Sequence, residues 1–167
     1  RGCRVYYIHF HSYPDTTAES QEKVRRLLQI LARYQLESHL YMIPFAELQR
    51  EIVAYAPEPL RVVLYRRFMM RIAQAVAQKE KAAALITGDS LGQVASQTLE
   101  NIRTISAAAS LPLLRPLIGE DKEEIIRAAR EIGTYPISII ADQDCCSLFV
   151  PRHPETMSSI EQVERAE

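Results

Sequence analysis

Two adjacent cysteines, Cys145 and Cys146, and a lysine, Lys122, carry the most reactive side-chain chemistry in this chain. A thiolate can attack a substrate or carry sulfur, whereas a thiol cannot. Asp142 and Asp144 stand beside the cysteine pair, and neighbouring carboxylates raise a cysteine pKa rather than lower it. The pair therefore reads either as two small inert core residues or as a nucleophile activated by a bound substrate or by distant basic groups. Lys122 follows Asp121 at the start of a helical pattern. A cation there opposes the helix dipole, so an anion in a nearby cleft is one reason to keep it. An exposed lysine on a solvated stem is the other.

Arg66, Arg67 and Arg71 form a second cluster, in the run YRRFMMR. Arg67 and Arg71 share a helix face at i, i+4 and repel one another unless an anion lies between them. A phosphate gripped by the guanidinium forks is one such anion. A solvated basic face is the plainer reading.

The third cluster is Thr87–Ile102, TGDSLGQVASQTLENI. Gly88 lacks a Cβ, which lets a ligand or another backbone approach closely. Ser90 and Gln93 have capping-box spacing, which predicts a helix over about 91–109. Leu91, Val94, Ala95, Leu99 and Ile102 would form its buried stripe. Gln97 can donate and accept, which suits an adenine edge or a phosphate oxygen, or else a solvated face. His9 and His11 alternate along a first strand. No third ligand accompanies them, so no metal site is expected. The backbone at His9 and Phe10 could pair with an adenine edge without any side chain.

These residues need an ordered frame. The apolar pattern at 4–10 predicts a strand, broken by His-Ser-Tyr-Pro-Asp, with Thr16 or Thr17 as a helix cap. Val24, Leu27, Leu28 and Leu31 recur at helical spacing. His39–Ile43 predicts a second strand, ended by Pro44. Helices are expected at 45–55 and 60–79, the latter with Val63, Phe68, Ile72 and Val76 on one face. A third strand is expected at 82–87 and an extended segment at 113–114. A helix at 121–132 would be stopped by Gly133 at C′. Strand and helix alternate and no hairpin signal occurs, which predicts an α/β domain with a mainly parallel sheet. Ligands in such folds sit outside the carboxyl ends of the strands. The polar segment 157–167 is expected to fray as a tail after a domain spanning 1–156.

Composition bounds the rest. The chain has 167 residues, a net charge of −1 and three cysteines. That length suits one domain with a proper core. The charge leaves no global basic footprint, so nucleic acid would need a local patch. No C-x-x-C pattern supports zinc or an iron–sulfur cluster. No run is long and apolar enough to span a membrane, and a cytoplasmic protein is expected.

Six segments in order resemble one family: HFHS, RRFMMRIA, TGDSLGQVASQTLENI, RPLIGEDKEEII, EIGTY and DCCSLFVPRHP. They closely resemble the catalytic domain of the tRNA 4-thiouridine synthetases (tRNA sulfurtransferases), which belong to the PP-loop ATP pyrophosphatases. The resemblance implies a Rossmann-like three-layer fold holding ATP, with Mg²⁺, at the sheet edge. It implies adenylation of a tRNA uridine at O4, then displacement of AMP by sulfur from a persulfide donor such as a cysteine desulfurase. It also links the chain to sulfur delivery to a carrier protein for the thiamine thiazole, and leaves a homodimer open. His9, Phe10, Arg66, Gly88 and Gln97 fall on nucleotide-contacting positions of the family, and Lys122 on a lysine implicated in activity. Cys145 falls on the persulfide-handling cysteine by an ungapped count, with Cys146 as the alternative.

The family's first strand and its PP-loop, Ser-Gly-Gly-x-Asp-Ser, do not occur in this sequence, nor does its RNA-binding region. The chain is therefore expected to be a fragment that, alone, binds ATP poorly and does not thiolate tRNA. A non-catalytic remnant binding RNA or a partner is the reading from another class. Another PP-loop ATPase, such as a tRNA 2-thiouridylase, is the enzyme alternative.

Overall fold

The computed structural model describes residues 3–35, 37–143, 145 and 148–167. They divide into two compact units. The first comprises Arg1–Leu48 and Glu123–Leu148, the second Gln49–Lys122 and Phe149–Glu167.

The first unit is built on β1 (Tyr6–His11) and β2 (His39–Pro44), paired in parallel with Phe10 opposite Ile43. Aromatic and β-branched side chains favour these strands. The Tyr6 and His39 rings stack at 5.3 Å, and Phe10 meets the buried Phe45 edge-on at 5.5 Å. The crossover is α1 (Glu19–Leu31), as a parallel pair requires. Neither Thr16 nor Thr17 caps it. Ala18 stands at the N-cap, Thr17 bonds to the Glu19 carboxylate at 2.9 Å, and the Thr16 hydroxyl is buried.

Strand β2 leads into α2 (Ala46–Tyr55), most of which belongs to the second unit. There α3 (Arg61–Lys79) supplies much of the core through Val63, Leu64, Tyr65, Met69, Ala73 and Ala77. The expected face was rotated: Phe68, Ile72 and Val76 are only half-buried. The β-branched and aromatic signals drew the stripe towards them, but small alanines let neighbours pack closest.

Strands β3 (Leu85–Ile86) and β4 (Leu113–Leu114) are short and parallel. Between them the chain departs from the expected long helix. Ser90 Oγ donates to Glu120 O at 2.8 Å, and Leu91 N donates to Ile118 O at 3.1 Å. Ser90 is thus occupied elsewhere, and no capping box forms with Gln93. Gly92 adopts φ +75°, which interrupts a right-handed helix. A 3₁₀ turn at Ala95–Gln97 follows, and α4 (Leu99–Ser106) starts only after Thr98, whose hydroxyl accepts from Asn101 N. The expected stripe changes with it: Leu91, Val94 and Leu99 are exposed, while Asn101, Thr104 and Ile105 are buried.

Helix α5 (Lys122–Glu131) returns the chain to the first unit. Its end is a Schellman motif: Thr134 N bonds to Ala129 O, Gly133 N bonds to Arg130 O, and Gly133 has φ +82°. A short helix, α6 (Tyr135–Ser138), follows.

The segment expected to fray instead forms α7 (Ile160–Ala166). Ser159 and Gln162 make a full capping box, and Val163 is completely buried. Asn101 holds the chain leading to it. Its amide donates to Ala95 O and Glu155 O and accepts from Ser158 N and Oγ. A fully buried asparagine is stable only when its polar atoms are satisfied in this way.

Candidate functional site

The chemistry of the second unit gathers on Asp89, just past the carboxyl end of β3. Asp89 is 3% exposed. Oδ1 is gripped by Arg66 from the middle of α3. Oδ2 accepts from Arg115 Nε at 3.0 Å and from Thr87 Oγ1 at 2.7 Å. Burial pushes the Asp89 carboxyl up, but the Arg66 charge and the hydrogen bonds from Thr87, Arg66 and Arg115 outweigh it, and the pKa lies below the ordinary carboxylate value. The site therefore holds a fixed anion braced by two cations.

Arg66 is positioned from a second side. Its Nη1 donates to Ser96 Oγ at 3.2 Å and reaches Ser96 O at 3.4 Å. Arg115 Nη2 donates to Ser106 Oγ at 2.8 Å. Gln97 follows Ser96, and its backbone oxygen accepts from Gly92 N at 2.9 Å. Its side-chain Oε1 is buried without a hydrogen-bond partner. Such an acceptor costs about 1–3 kcal/mol when left unmade. Gly88 precedes Asp89. A Cβ built there meets nothing within 4 Å, so packing does not demand glycine at this point.

The structure thus brings together Arg66, Gly88 and Gln97, three of the residues expected to contact nucleotide. Lys122 opens α5 as expected and is exposed. The loop before it is tied to Ser90 through Glu120 O.

The remaining candidates lie in the first unit. His9 and Phe10 occupy the carboxyl half of β1, with His9 Nε2 at 3.4 Å from Ser20 Oγ. Burial lowers the pKa of His11, and its Nδ1 has no partner. Cys145 is a thiol only 4% exposed, and its carbonyl accepts from Leu148 N at 3.3 Å. Cys146 lies outside the described residues, as does Asp144. Asp142 is not a bare negative charge beside the cysteine. Lys23 Nζ bonds to its Oδ1 at 2.9 Å.

Arg67 and Arg71 do share a face, but a protein carboxylate lies between them. Glu167 Oε1 accepts from Arg67 Nε at 2.7 Å, and Oε2 accepts from Arg71 Nη2 at 2.5 Å. Neither a solvated face nor a phosphate cradle describes this pair.

Asp89 and Arg115 were not singled out by sequence reasoning. Both lie inside motifs already conspicuous, but no local spacing pairs an aspartate with arginines on a helix before it and a strand end after it.

A family model described as "Thiamine biosynthesis protein (ThiI)" matches residues 1–167. The chain belongs to the ThiI family. Among ThiI relatives, a probable tRNA sulfurtransferase of Thermus thermophilus is 53% identical over 167 residues. One from Moorella thermoacetica is 50% identical over 167 residues, and one from Treponema pallidum 49% over 165. The ThiI chain spans only 41%, 43% and 41% of these three proteins, respectively, while they cover 99–100% of it. A crystal structure of a 4-thiouridine synthetase–RNA complex with bound ATP superposes with a TM-score of 0.90 at 40% identity, over 95% of this chain and 42% of that one. The fold is therefore the α/β, PP-loop ATPase class with parallel strands.

Proposed function

We propose that this chain is the part of an ATP-dependent tRNA sulfurtransferase that holds the adenine nucleotide and handles sulfur. The observation carrying the reading is the cluster of Arg66, fixed by Asp89, with the buried acceptor of Gln97 and the open face of Gly88. A cation, a hydrogen-bonding edge and room for close approach are the three things a nucleotide needs from a strand-end site. The 4-thiouridine synthetase with bound ATP supports the choice of nucleotide.

In this reading Gln97 orients the adenine, and the backbone at His9–Phe10 is a separate candidate for pairing with an adenine edge. Arg66 and Lys122 offset charge on the phosphates, a stabilisation that costs no reorganisation when the groups are already placed. Mg²⁺ would arrive with the ATP phosphates, since such ions are held chiefly by phosphates and water. The O4 of a tRNA uridine attacks the α-phosphorus, the bond to the bridging oxygen breaks, and pyrophosphate leaves. Persulfide sulfur then attacks C4, and AMP departs with O4. A second thiol attacks the carrier sulfur of the resulting S–S bond, forming a disulfide with the carrier and leaving the outer sulfur on C4. Cys145 is the sulfur carrier, with Cys146 as its alternative. A cysteine desulfurase-type protein is the donor, and a thiazole sulfur-carrier protein is a second acceptor consistent with the family's description.

The test uses the full-length protein with tRNA, ATP and a persulfide donor. Arg66→Ala should raise the KM for ATP and slow pyrophosphate release by about a hundredfold, as expected for a lost charge-stabilising contact. Unchanged ATP kinetics would remove Arg66 from the nucleotide site.

A further inference from the structure

The geometry points to Lys23 as a positioning residue for the sulfur step, holding the segment that carries Cys145 against α1. This inference rests on the reading of Cys145 as the sulfur carrier. Lys23 Nζ donates to Ile140 O at 2.8 Å and to Asp142 Oδ1 at 2.9 Å. One ammonium group thereby fixes a backbone carbonyl and a carboxylate two residues apart. The Lys23 and Asp142 side chains are 17% and 18% exposed, so the pair is largely shielded from water and salt.

The anchor sits where positioning matters. Asp142 lies three residues before Cys145, and on the other side Leu148 N donates to the Cys145 carbonyl at 3.3 Å. The Cys145 thiol is buried between these two ties. On the other end, Lys23 is in the middle of α1, which packs against α6 just before this segment. A long lysine chain loses rotamer freedom when it is fixed, so a bond to a carbonyl as well as a carboxylate makes the geometry far better defined than a simple surface pair.

The step itself is a displacement at sulfur. The Cys145 thiolate attacks the terminal sulfur of a donor persulfide, R–S–SH. The donor S–S bond breaks, a new S–S bond forms on Cys145, and the donor leaves as a thiol carrying the proton that Cys145 released. No oxidant is consumed. The attacking and leaving sulfurs must be aligned.

The experiment compares full-length wild type, Lys23→Met, Lys23→Arg and Cys145→Ser. It reads iodoacetamide labelling of Cys145 by peptide mass, sulfur loading on Cys145 from cysteine persulfide, and pyrophosphate release with ATP and tRNA. In Lys23→Met, labelling should rise and loading should fall by about tenfold each, while pyrophosphate release stays within about twofold, because misplacement penalises only the step that uses the segment. Lys23→Arg should restore both labelling and loading. Wild-type labelling and loading in Lys23→Met, failure of Lys23→Arg to rescue, or a matching loss of pyrophosphate release would each overturn the assignment. Wild-type thiolation by Cys145→Ser would instead overturn the sulfur role of Cys145, while the labelling arm still decides whether Lys23 holds the segment.

Discussion

Asp89 accepts from Arg66 on one carboxylate oxygen and from Arg115 on the other, so two residues far apart in sequence are braced through one buried anion. Removing its charge leaves both guanidiniums without their common partner. In Asp89→Asn the full-length protein should lose about 3–5 kcal/mol of stability, the usual cost of breaking a buried ion pair. Its KM for ATP should rise more than in a control of equal stability. Urea unfolding and ATP kinetics check the two effects separately.

Acid should act through the same carboxylate. The folded pKa of Asp89 is depressed, so its contribution to stability is complete above its unfolded value of about 4. The contribution is lost as the pH falls through the folded value. For Glu167, burial raises the pKa, but the hydrogen bonds and charges of Arg67 and Arg71 bring it below the ordinary value, so it adds to the loss over the same range. Stability should begin to ease below about 6.5, where the unfolded chain protonates His11 more readily than the folded one, and fall further below about 4 as Asp89 and Glu167 are protonated. Asp89→Asn should fall less steeply. An equally steep fall in that variant would assign the acid sensitivity elsewhere.

Arg67 is 1% exposed and pairs closely with Glu167 and at 3.9 Å with Glu164, with Thr104 O as a further acceptor at 2.7 Å. Glu167→Ala leaves that charge only the longer pair with the exposed Glu164 and should cost about 2–3 kcal/mol. Arg71 is much more exposed, and Arg71→Ala should cost less than about 1 kcal/mol. Denaturant midpoints of the two variants give the ordering.

Gln97 offers a test in which stability and binding separate. Its buried Oε1 has no partner, so Gln97→Met removes an unsatisfied acceptor. Stability should hold or rise by about 1 kcal/mol. ATP affinity should nevertheless fall if, as proposed, this group faces the nucleotide. A variant with reduced stability and normal ATP binding would make Gln97 a structural residue.

The elements of this fold were legible where local chemistry agrees with tertiary packing. The aromatic strand β1, the proline-ended β2 and the Gly133 stop follow directly from residue type. Thr87–Ile102 was not, because Ser90 and Gln93 have a helix-start spacing that tertiary bonds to Glu120 and Ile118 override. Arg66, Gly88 and Gln97 were recognisable as candidates, and the structure places them around one cluster. Asp89, their common brace, was not, since its partners come from 23 and 26 residues away. The 157–167 segment looked like a polar tail because Ile160, Val163 and Ala166 make too short a stripe to stand out among its polar residues, although Val163 is completely buried. Its cap and its Glu167 contacts are what hold it.

The most direct test of the whole account is the coupling of nucleotide use to sulfur transfer in the full-length protein. Labelled ATP, tRNA and a persulfide donor are mixed with wild type and with Arg66→Ala. The account predicts that wild type releases pyrophosphate and AMP in step with formation of 4-thiouridine, and that Arg66→Ala loses both together. Salt-sensitive tRNA binding without any nucleotide turnover by wild type would contradict it and leave an RNA-binding protein in place of an enzyme.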